Sequence, residues 1–470
     1  MNRYDVSSTR AKEFIDEQEI RATLEYAEAH RNDTGLIEEL LQKAAEGHGL
    51  NHREATLLLL CDSSFDERIY ELAKHIKQRI YGNRIVMFAP LYLSNHCING
   101  CTYCPYHATN RTIPRRKLTQ EEIRREVIAL QDMGHKRLAL EMGEHPMLNS
   151  IDYLLESIDT IYSIHHRNGA IRRVNVNIAA TTVEEYRLLR EAGIGTYILF
   201  EETYDRAAYE RLHPSGPKSN WAYHTEAMDR AMQGGIDDVG IGALFGLSDY
   251  RYDFVGLLMH AEHLEAVFGV GPHTISVPRI RPADDIDLTA FPNAVTDERF
   301  RRLVAVLRIA VPYTGMIIST RESQRSREGV LEVGVSQISG GSRTSVGGYA
   351  EEDEATAQFD ISDTRSLDEV VAWLLELGYI PSFCTACYRE GRTGDRFMSL
   401  AKRGTIGNCC APNALMTLGE YMEDYASPRT YELGERMIRR ELEAIPSARI
   451  REITEQRLNE IKEGRRDFRF

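Results

Sequence analysis

Apolar residues in the first 80 positions recur at helical spacing. Leu36, Ile37, Leu40 and Leu41 fall on one side of a predicted helix, and residues 55–60 continue the apolar pattern. Residues three and four positions apart share one helical face, which packs against a core. The pattern predicts an N-terminal helical segment over residues 1–80.

From residue 85 onward, short apolar runs alternate with longer amphipathic stretches. The runs predict strands at residues 85–90, 137–141, 174–179, 196–200, 239–244, 274–278, 316–319 and 333–338. The stretches predict helices between most of them, at residues 119–133, 151–166, 182–192 and 297–311. Eight strands alternating with helices are typical of a closed (β/α)8 barrel of the TIM type. We predict an α/β protein with this barrel over residues 81–365, although a doubly wound open sheet shares the alternation.

Bulk composition disfavours several classes of protein. The 470 residues are 42% hydrophobic, and they carry a formal net charge of −14 without a run of lysine or arginine. This charge speaks against nucleic-acid binding. No stretch of about 18 apolar residues occurs and the N-terminus is polar, so we expect neither a membrane span nor a signal peptide. We expect a cytoplasmic protein.

Three cysteines with the spacing C-x3-C-x2-C follow the first predicted strand. They are Cys97, Cys101 and Cys104. Three thiolates on one loop can hold three irons of a [4Fe–4S] cube and leave the fourth iron open for a ligand. A zinc loop is the alternative, with His96 or His107 as the fourth ligand.

A second cysteine set lies in the C-terminal region. After a predicted helix at residues 367–377, Cys384, Cys387 and Cys410 form C-x2-C-x22-C in a tail rich in helix formers. Three cysteines without an obvious fourth ligand favour a second cube over a structural zinc ribbon. We therefore predict a mainly helical cluster-binding domain over residues 366–470. Cys409 is left as a spare, and Cys61 is expected in a helix core.

The motifs resemble those of a known superfamily. C-x3-C-x2-C with Tyr103 before its last cysteine resembles the radical S-adenosylmethionine (SAM) signature, and EMGEHP resembles its glycine-rich turn, with Met142 replacing the first glycine. FEETYD, ISVPRIRP, STRES and QISGGSRTSVGGY are similar to blocks of its aromatic-amino-acid lyases. The tail cysteines resemble those of the tyrosine lyases that mature [FeFe]-hydrogenase. The related thiamine-pathway 2-iminoacetate synthases lack them.

This resemblance implies a reaction. The first cluster cleaves SAM to a radical, which breaks the Cα–Cβ bond of L-tyrosine and releases p-cresol. The remaining dehydroglycine yields carbon monoxide and cyanide, bound to an additional iron at the tail cluster for the hydrogenase H-cluster. The resemblance also implies a one-electron donor of flavodoxin or ferredoxin type and other hydrogenase maturation proteins as partners. No catalytic side chain is assigned beyond the cluster-generated radical.

Polar residues after the predicted strands are candidates for binding SAM and tyrosine. A guanidinium binds a carboxylate bidentately, so Arg321, with Ser319, is the candidate for the tyrosine carboxylate, and Arg279 and Arg281 are rivals. The resemblance assigns Glu144 to the amino group of SAM, Glu202 to its ribose and Tyr103 to its adenine.

The additional iron needs an anchor, for which neutral imidazole is suited. Three histidines are close in sequence, and we favour His263, then His273, then His260. Two other functions stay open: a 2-iminoacetate synthase, disfavoured by the tail cysteines, and a two-cluster electron carrier or scaffold. The polar strand ends disfavour the carrier, because an electron carrier does not need them.

Overall fold

Eight parallel strands form the centre of the computed structural model, which describes residues 4–351, 354–402 and 406–470. Each strand pairs with the next, and the eighth pairs with the first. In chain order they are β1 (Arg84–Ser94), β2 (Arg137–Met142), β3 (Arg173–Asn177), β4 (Tyr197–Ile198), β5 (Val239–Gly242), β6 (Thr274–Ser276), β7 (Gly315–Ile318) and β8 (Gln337–Ser339). The closed barrel confirms the predicted architecture and excludes the open sheet.

Alternate residues of each strand point into the barrel and form layers. On neighbouring strands, Ala139 pairs with Asn175, and Glu141 pairs with Asn177 one layer higher. All four line a chamber inside the barrel. Because side chains alternate across a strand, Arg173, two positions before Asn175, belongs to the layer below.

Helices surround the barrel, and most begin with a side-chain cap. Thr119 and Glu122, for example, form a reciprocal capping box at the start of the first helix after β1, which satisfies exposed N–H groups there. The N-terminal helices are α1 (Ala11–Phe14), α2 (Glu17–His30), α3 (Thr34–Ala45), α4 (His52–Leu60) and α5 (Asp66–Tyr81). The barrel helices are α6 (Gln120–Met133), α7 (Ile151–Ser163), α8 (Val183–Glu191), α9 (Arg206–Leu212), α10 (Trp221–Thr225), α11 (Ala227–Gln233), α12 (Tyr250–Phe268), α13 (Asp297–Ala310) and α14 (Gln324–Val333). Short 3-10 turns occur at Ser63–Phe65, Pro217–Ser219 and Leu288–Ala290, and His165–His166 pairs with Gly169–Ala170 in a small hairpin.

The C-terminal region attaches to the end of the barrel at which the strands begin, which we call the lower end. Its strand β9 (Ile380–Ser382) pairs in parallel with residues 84–86 of β1, before β2 joins β1 at Ala89. The remaining elements are α15 (Leu367–Glu376), α16 (Ala386–Arg389), α17 (Gly394–Lys402), α18 (Gly407–Asp424), α19 (Pro428–Glu443) and α20 (Ala448–Lys462). Among the described residues, no helix combines the length and the apolar character needed to cross a bilayer.

The eighth strand differs from its prediction. The predicted run began at Val333, but that residue ends α14, and β8 begins at Gln337. Val333 and Val335 are both buried. The end of a core-facing helix and the segment that leads into the next strand are both apolar, so they form one continuous apolar run in the sequence. Periodicity alone does not separate two such short buried runs.

Candidate active site and tail cysteine pocket

The first cysteine set lies at the carboxyl end of β1, where parallel barrels place their chemistry. Cys97, Cys101 and Cys104 all line a cavity of about 170 Å³. Burial raises the pKa of Cys104 to about 11. Without a metal the thiol would therefore stay protonated, and a bound cationic centre would be needed to stabilise the thiolate. Within the described parts of the chain, no three Cys, His, Asp or Glu side chains converge as ligands of one metal ion. The three thiols border a space, which fits a cluster with several irons.

The turn after β2 forms one wall of this cavity. Gly143 donates its N–H to Ser94 O at 3.0 Å, and a Cβ at Gly143 would lie 2.5 Å from His96 O. Only glycine therefore allows this approach to the cysteine loop. Glu144 accepts a 2.6 Å hydrogen bond from Asn99 within the loop, and burial raises its pKa.

Glu202 and Lys218 form the opposite wall. Glu202 has a φ of 71°, a left-handed conformation that side chains rarely adopt and that tends to occur at functional sites. Its carboxylate pairs with Lys218 Nζ at 2.7 Å, and the Lys218 N–H donates to Asn99 Oδ1 at 2.9 Å. Tyr103 also lines the cavity, with its hydroxyl 2.8 Å from His213 Nε2.

Sequence reasoning missed Asn99 and Lys218. Asn99 connects the cysteine loop to both walls, and Lys218 lies in an irregular segment far along the chain. The position of Asn99 between the first two cysteines was a usable signal, whereas nothing in the local sequence singled out Lys218.

A second chamber of about 100 Å³ continues into the barrel, and both Arg321 and Ser319 line it. The Arg321 guanidinium stacks 3.5 Å from the centroid of the Phe359 ring. In the part of the chain that the structure describes, it makes no side-chain hydrogen bond or ion pair. An unpaired guanidinium facing a buried chamber is suited to bind a carboxylate.

The rival arginines are engaged elsewhere. Arg279 donates to both carboxylate oxygens of Glu322, and to Asp297, Val295 O and Ser326. Arg281 also pairs with Glu322. The donors of Arg279 are satisfied by the protein, and Arg281 lines the cavity of the first cysteine set rather than the second chamber, which favours Arg321.

Glu141 is a further chamber residue that sequence reasoning did not select. Burial raises its pKa to about 8, against the lowering effects of Arg321 and Asn177. The carboxyl group is therefore mostly protonated at neutral pH and can donate a hydrogen bond. Its place as the first residue of EMGEHP was a signal, but its inward orientation became visible only in the barrel.

The second cysteine set lies at the opposite end of the barrel. Cys384, Cys387 and Cys410 line a pocket of about 70 Å³ together with His273, whereas Cys409 is absent from the lining. The hydrogen bond from Cys387 lowers the pKa of Cys410, and Arg84 and Arg392 add to the effect. Three thiols of this kind suit an iron–sulfur cluster.

The structure corrects the preference for His263. Its Nε2 lies 2.9 Å from Asp229 Oδ1, its Nδ1 lies 2.7 Å from Val6 O, and its ring stacks on Phe14. Both nitrogens are occupied and the residue lies outside the tail pocket, so it cannot anchor an iron there. His260 contacts Tyr204 in the same core. His273 takes the place of His263 as the candidate.

Residues 91–259 match the sequence model of the Radical SAM superfamily, and residues 276–380 match that of the Biotin and Thiamin Synthesis associated domain. The 2-iminoacetate synthase of Escherichia coli (strain K12) is 31% identical over 327 residues, which are 69% of this chain and 84% of that enzyme. A crystal structure of HydG, a maturase of the [FeFe]-hydrogenase, is 54% identical, with a TM-score of 0.95 over 97% of this chain and 100% of that chain. The HydG of Carboxydothermus hydrogenoformans is 40% identical, with a TM-score of 0.83 over 95% and 99%.

The parallel barrel, the cysteine loop after its first strand and the superfamily match define a radical SAM enzyme, which uses a [4Fe–4S] cluster and SAM. Within that superfamily, the chain belongs to the family of the [FeFe]-hydrogenase maturase HydG.

Proposed function

We propose that this enzyme cleaves the Cα–Cβ bond of L-tyrosine to p-cresol and dehydroglycine, and then yields carbon monoxide and cyanide bound to iron for the [FeFe]-hydrogenase H-cluster. The observation that carries the proposal is one barrel with a cysteine set at each end and the unpaired Arg321 in the chamber between them. The likeness to HydG over 97% of the chain supports it.

The upper cavity would hold the SAM-cleaving cluster on Cys97, Cys101 and Cys104. When bound, this cluster supplies the electron that splits SAM to the 5′-deoxyadenosyl radical. Glu144 would receive the SAM amino group beside the cysteine loop, because Asn99 already fixes its carboxylate there. Glu202 would accept hydrogen bonds from the ribose hydroxyls, and Tyr103 would flank the adenine.

The chamber below would hold L-tyrosine. The Arg321 guanidinium would bind its carboxylate bidentately, with Ser319 on the same wall. The protonated carboxyl of Glu141 would donate a hydrogen bond to the substrate, and the Phe359 ring covers the other face of the Arg321 plane.

The tail pocket would hold a second [4Fe–4S] cluster on Cys384, Cys387 and Cys410, with the additional iron as cargo. His273 would present an imidazole to that iron, since it lines the same pocket. The electron donor would be of flavodoxin or ferredoxin type, and the product would pass to other hydrogenase maturation proteins. A reducing compartment, the cytoplasm, suits six ligand-type thiols.

A 2-iminoacetate synthase is the second candidate, favoured by the 31% identity to the Escherichia coli enzyme. The tail argues against it. The match to the thiamin-associated domain ends at residue 380, and the second cysteine set begins at Cys384.

Product analysis tests the proposal. The cluster-loaded enzyme is incubated without oxygen with SAM, a one-electron reductant and L-tyrosine, and p-cresol and 5′-deoxyadenosine are quantified. Infrared bands of iron-bound carbon monoxide and cyanide are then recorded. The proposal requires all of these products. Formation of p-cresol without carbon monoxide or cyanide would favour the synthase, and absence of p-cresol would reject both.

A further inference from the structure

Asn175 carries a side-chain amide that the protein holds at one end and leaves free at the other. It lies on β3, is 6% exposed and lines the chamber. Its Oδ1 accepts a hydrogen bond from the Thr196 N–H at 3.1 Å, which fixes the orientation of the amide, because only the oxygen can accept. Within the described residues, Nδ2 makes no hydrogen bond, and it is not one of the polar atoms that the protein encloses completely. Its N–H donors are therefore open to the chamber.

The chamber has an upper part, which it shares with the upper cavity, and a deeper part of its own. Arg321 and Asn177 line both cavities, whereas Asn175 lines the chamber alone. The radical formed in the upper cavity must reach the amino acid, so the backbone end of a bound tyrosine belongs at the junction, beside Arg321. Asn175 lies two strand residues below Asn177, a distance of about 6.6 Å along the strand, which is similar to the length of a tyrosine side chain. The ring would then lie in the deeper part.

Two glycines on β5 make room for an aromatic ring at this depth. Gly240 pairs with Ile198, and Gly242 pairs with Ser276; both partners line the chamber. Paired residues of neighbouring strands share one face of the sheet, so both glycines also face inward. Branched apolar side chains normally fill such layers of a barrel, and a Cβ at Gly242 would lie only 2.8 Å from Phe200 Cδ1. The missing side chains leave the chamber open here.

We propose that Asn175 determines the specificity for tyrosine by binding its phenolic hydroxyl, an inference that deepens the proposed function and rests on it. Nδ2 would donate a hydrogen bond to the phenolic oxygen, while Arg321 binds the carboxylate at the other end of the substrate. Ser276, which also lines the deeper part, would accept a hydrogen bond from the phenolic O–H. A site built to hydrogen-bond a substrate hydroxyl rejects the analogue that lacks it much more strongly than an apolar pocket does. Phenylalanine would therefore bind poorly.

A purely structural role for Asn175 and recognition by Gln337 are the competing explanations. The bond from the Thr196 N–H needs only an acceptor, so it does not account for the free Nδ2, whose donors are costly to leave unpaired. Gln337 also lines the deeper part, but it borders the tail pocket as well, and no hydrogen bond within the described chain fixes its amide. A donor that is already oriented loses less conformational freedom on binding, which favours Asn175.

A double-mutant cycle between the residue and the ligand tests the assignment. Equilibrium binding of L-tyrosine and of L-phenylalanine is measured on cluster-loaded enzyme with SAM and without reductant, in wild type and in Asn175→Leu. We expect the affinity for tyrosine to fall about tenfold, as for loss of one hydrogen bond to a buried partner, and the affinity for phenylalanine to change less than about twofold. Loss of the Thr196 contact affects both ligands equally, so it cancels from the ratio of the two affinities.

Two further variants separate the hydroxyl contact from other effects. Gln337→Met, which removes the other amide of the deeper part, is the matched control and should keep the preference for tyrosine. Arg321→Ala should weaken the binding of both amino acids alike, because both carry the carboxylate.

Equal losses for the two ligands in Asn175→Leu, an unchanged tyrosine affinity in that variant, or a tyrosine-selective loss in Gln337→Met would each overturn the assignment. These results leave the proposed function intact as long as wild type binds tyrosine and releases p-cresol. If wild type binds neither amino acid, the proposed function fails, and the role of Asn175 fails with it.

Discussion

Buried charged side chains differ in whether the protein satisfies them. Arg279 is held by two carboxylates and two further oxygens. Arg308 is fully buried but donates to three carbonyl oxygens. The Arg321 guanidinium contacts only the face of the Phe359 ring. Glu141 keeps its proton because burial raises its pKa more than Arg321 and Asn177 lower it. A buried charge without a partner is expensive, so Arg321 is the side chain for which a substrate carboxylate would supply the missing contact.

Arg321→Ala should weaken tyrosine binding by more than tenfold. Loss of a charge-assisted contact to a buried carboxylate costs about 2–5 kcal/mol. Equilibrium binding of tyrosine to the SAM-loaded enzyme measures the effect, and SAM cleavage without tyrosine should stay near normal. The comparison variant, Arg281→Ala, loses an ion pair to Glu322 and should keep most of the tyrosine affinity. Equal losses in both variants would contradict the assignment.

Glu141 should make the protein less stable as pH rises. Its pKa is raised from 4.5 to about 8, so between these values the folded state holds a proton that the unfolded state has lost. The stability of the fold is therefore undiminished by Glu141 below about pH 4.5 and falls as pH rises to about 8, where the penalty for ionising this carboxyl group reaches about 5 kcal/mol. Glu141→Gln removes this penalty.

Urea unfolding midpoints of wild type and Glu141→Gln, compared at about pH 5 and about pH 9, isolate the contribution of this one group. The unfolding midpoint of the variant should increase relative to that of the wild type as pH rises. Parallel pH profiles would show that Glu141 ionises freely in the folded protein.

At the scale of elements, apolar periodicity predicted the barrel well because its strands are short buried runs between amphipathic helices. Ile37, Leu40 and Leu41 are buried on α3, as their spacing predicted. The same reasoning failed on α12, which is buried around almost its whole circumference. A helix without a polar face does not reveal which way a histidine points, so the sequence could not show that His263 faces the core of α12 and not an iron site. His273 lies outside that helix, directly before β6.

The site itself was predictable only where chemistry and strand ends coincide. Cysteine spacing located both cysteine sets, and the segment after β7 supplied Arg321. The partners that hold those residues come from distant segments, as Lys218 does for Glu202.

The loop after β1 should carry SAM cleavage alone. A Cys97→Ala/Cys101→Ala/Cys104→Ala variant should lose 5′-deoxyadenosine formation altogether, because no other thiols line the upper cavity among the described residues. Iron at the tail should remain, since Cys384, Cys387 and Cys410 line a separate pocket. Iron analysis and product chromatography measure the two effects, and Cys61→Ala, in the core beside α4, is the control. Residual SAM cleavage by the triple variant would reject the assignment.

At the scale of the whole molecule, β1 connects the two chemical sites. The first cysteine set follows its end at Ser94, and β9 brings the second set to its beginning at Arg84. Eleven residues of strand span roughly 35 Å at most, so the two clusters would be too far apart to share one substrate position. A two-stage reaction would therefore need a passage through the barrel, and the second chamber would supply part of it.

This geometry predicts that the tail acts after the carbon–carbon bond has broken. The radical source and the tyrosine chamber both lie in the upper barrel, so a Cys384→Ala/Cys387→Ala variant should still release p-cresol. It should not build the iron-bound carbonyl and cyanide product, because the pocket lined by those thiols and His273 would no longer hold iron. His273→Ala should give a milder form of the same defect, and Cys409→Ala, outside the pocket lining, should behave as wild type. Infrared spectra in the carbonyl-stretching region, recorded beside p-cresol yields, measure both halves of the reaction. Normal iron–carbonyl bands from the double variant would refute this division, and loss of p-cresol would mean that the tail also supports the first step.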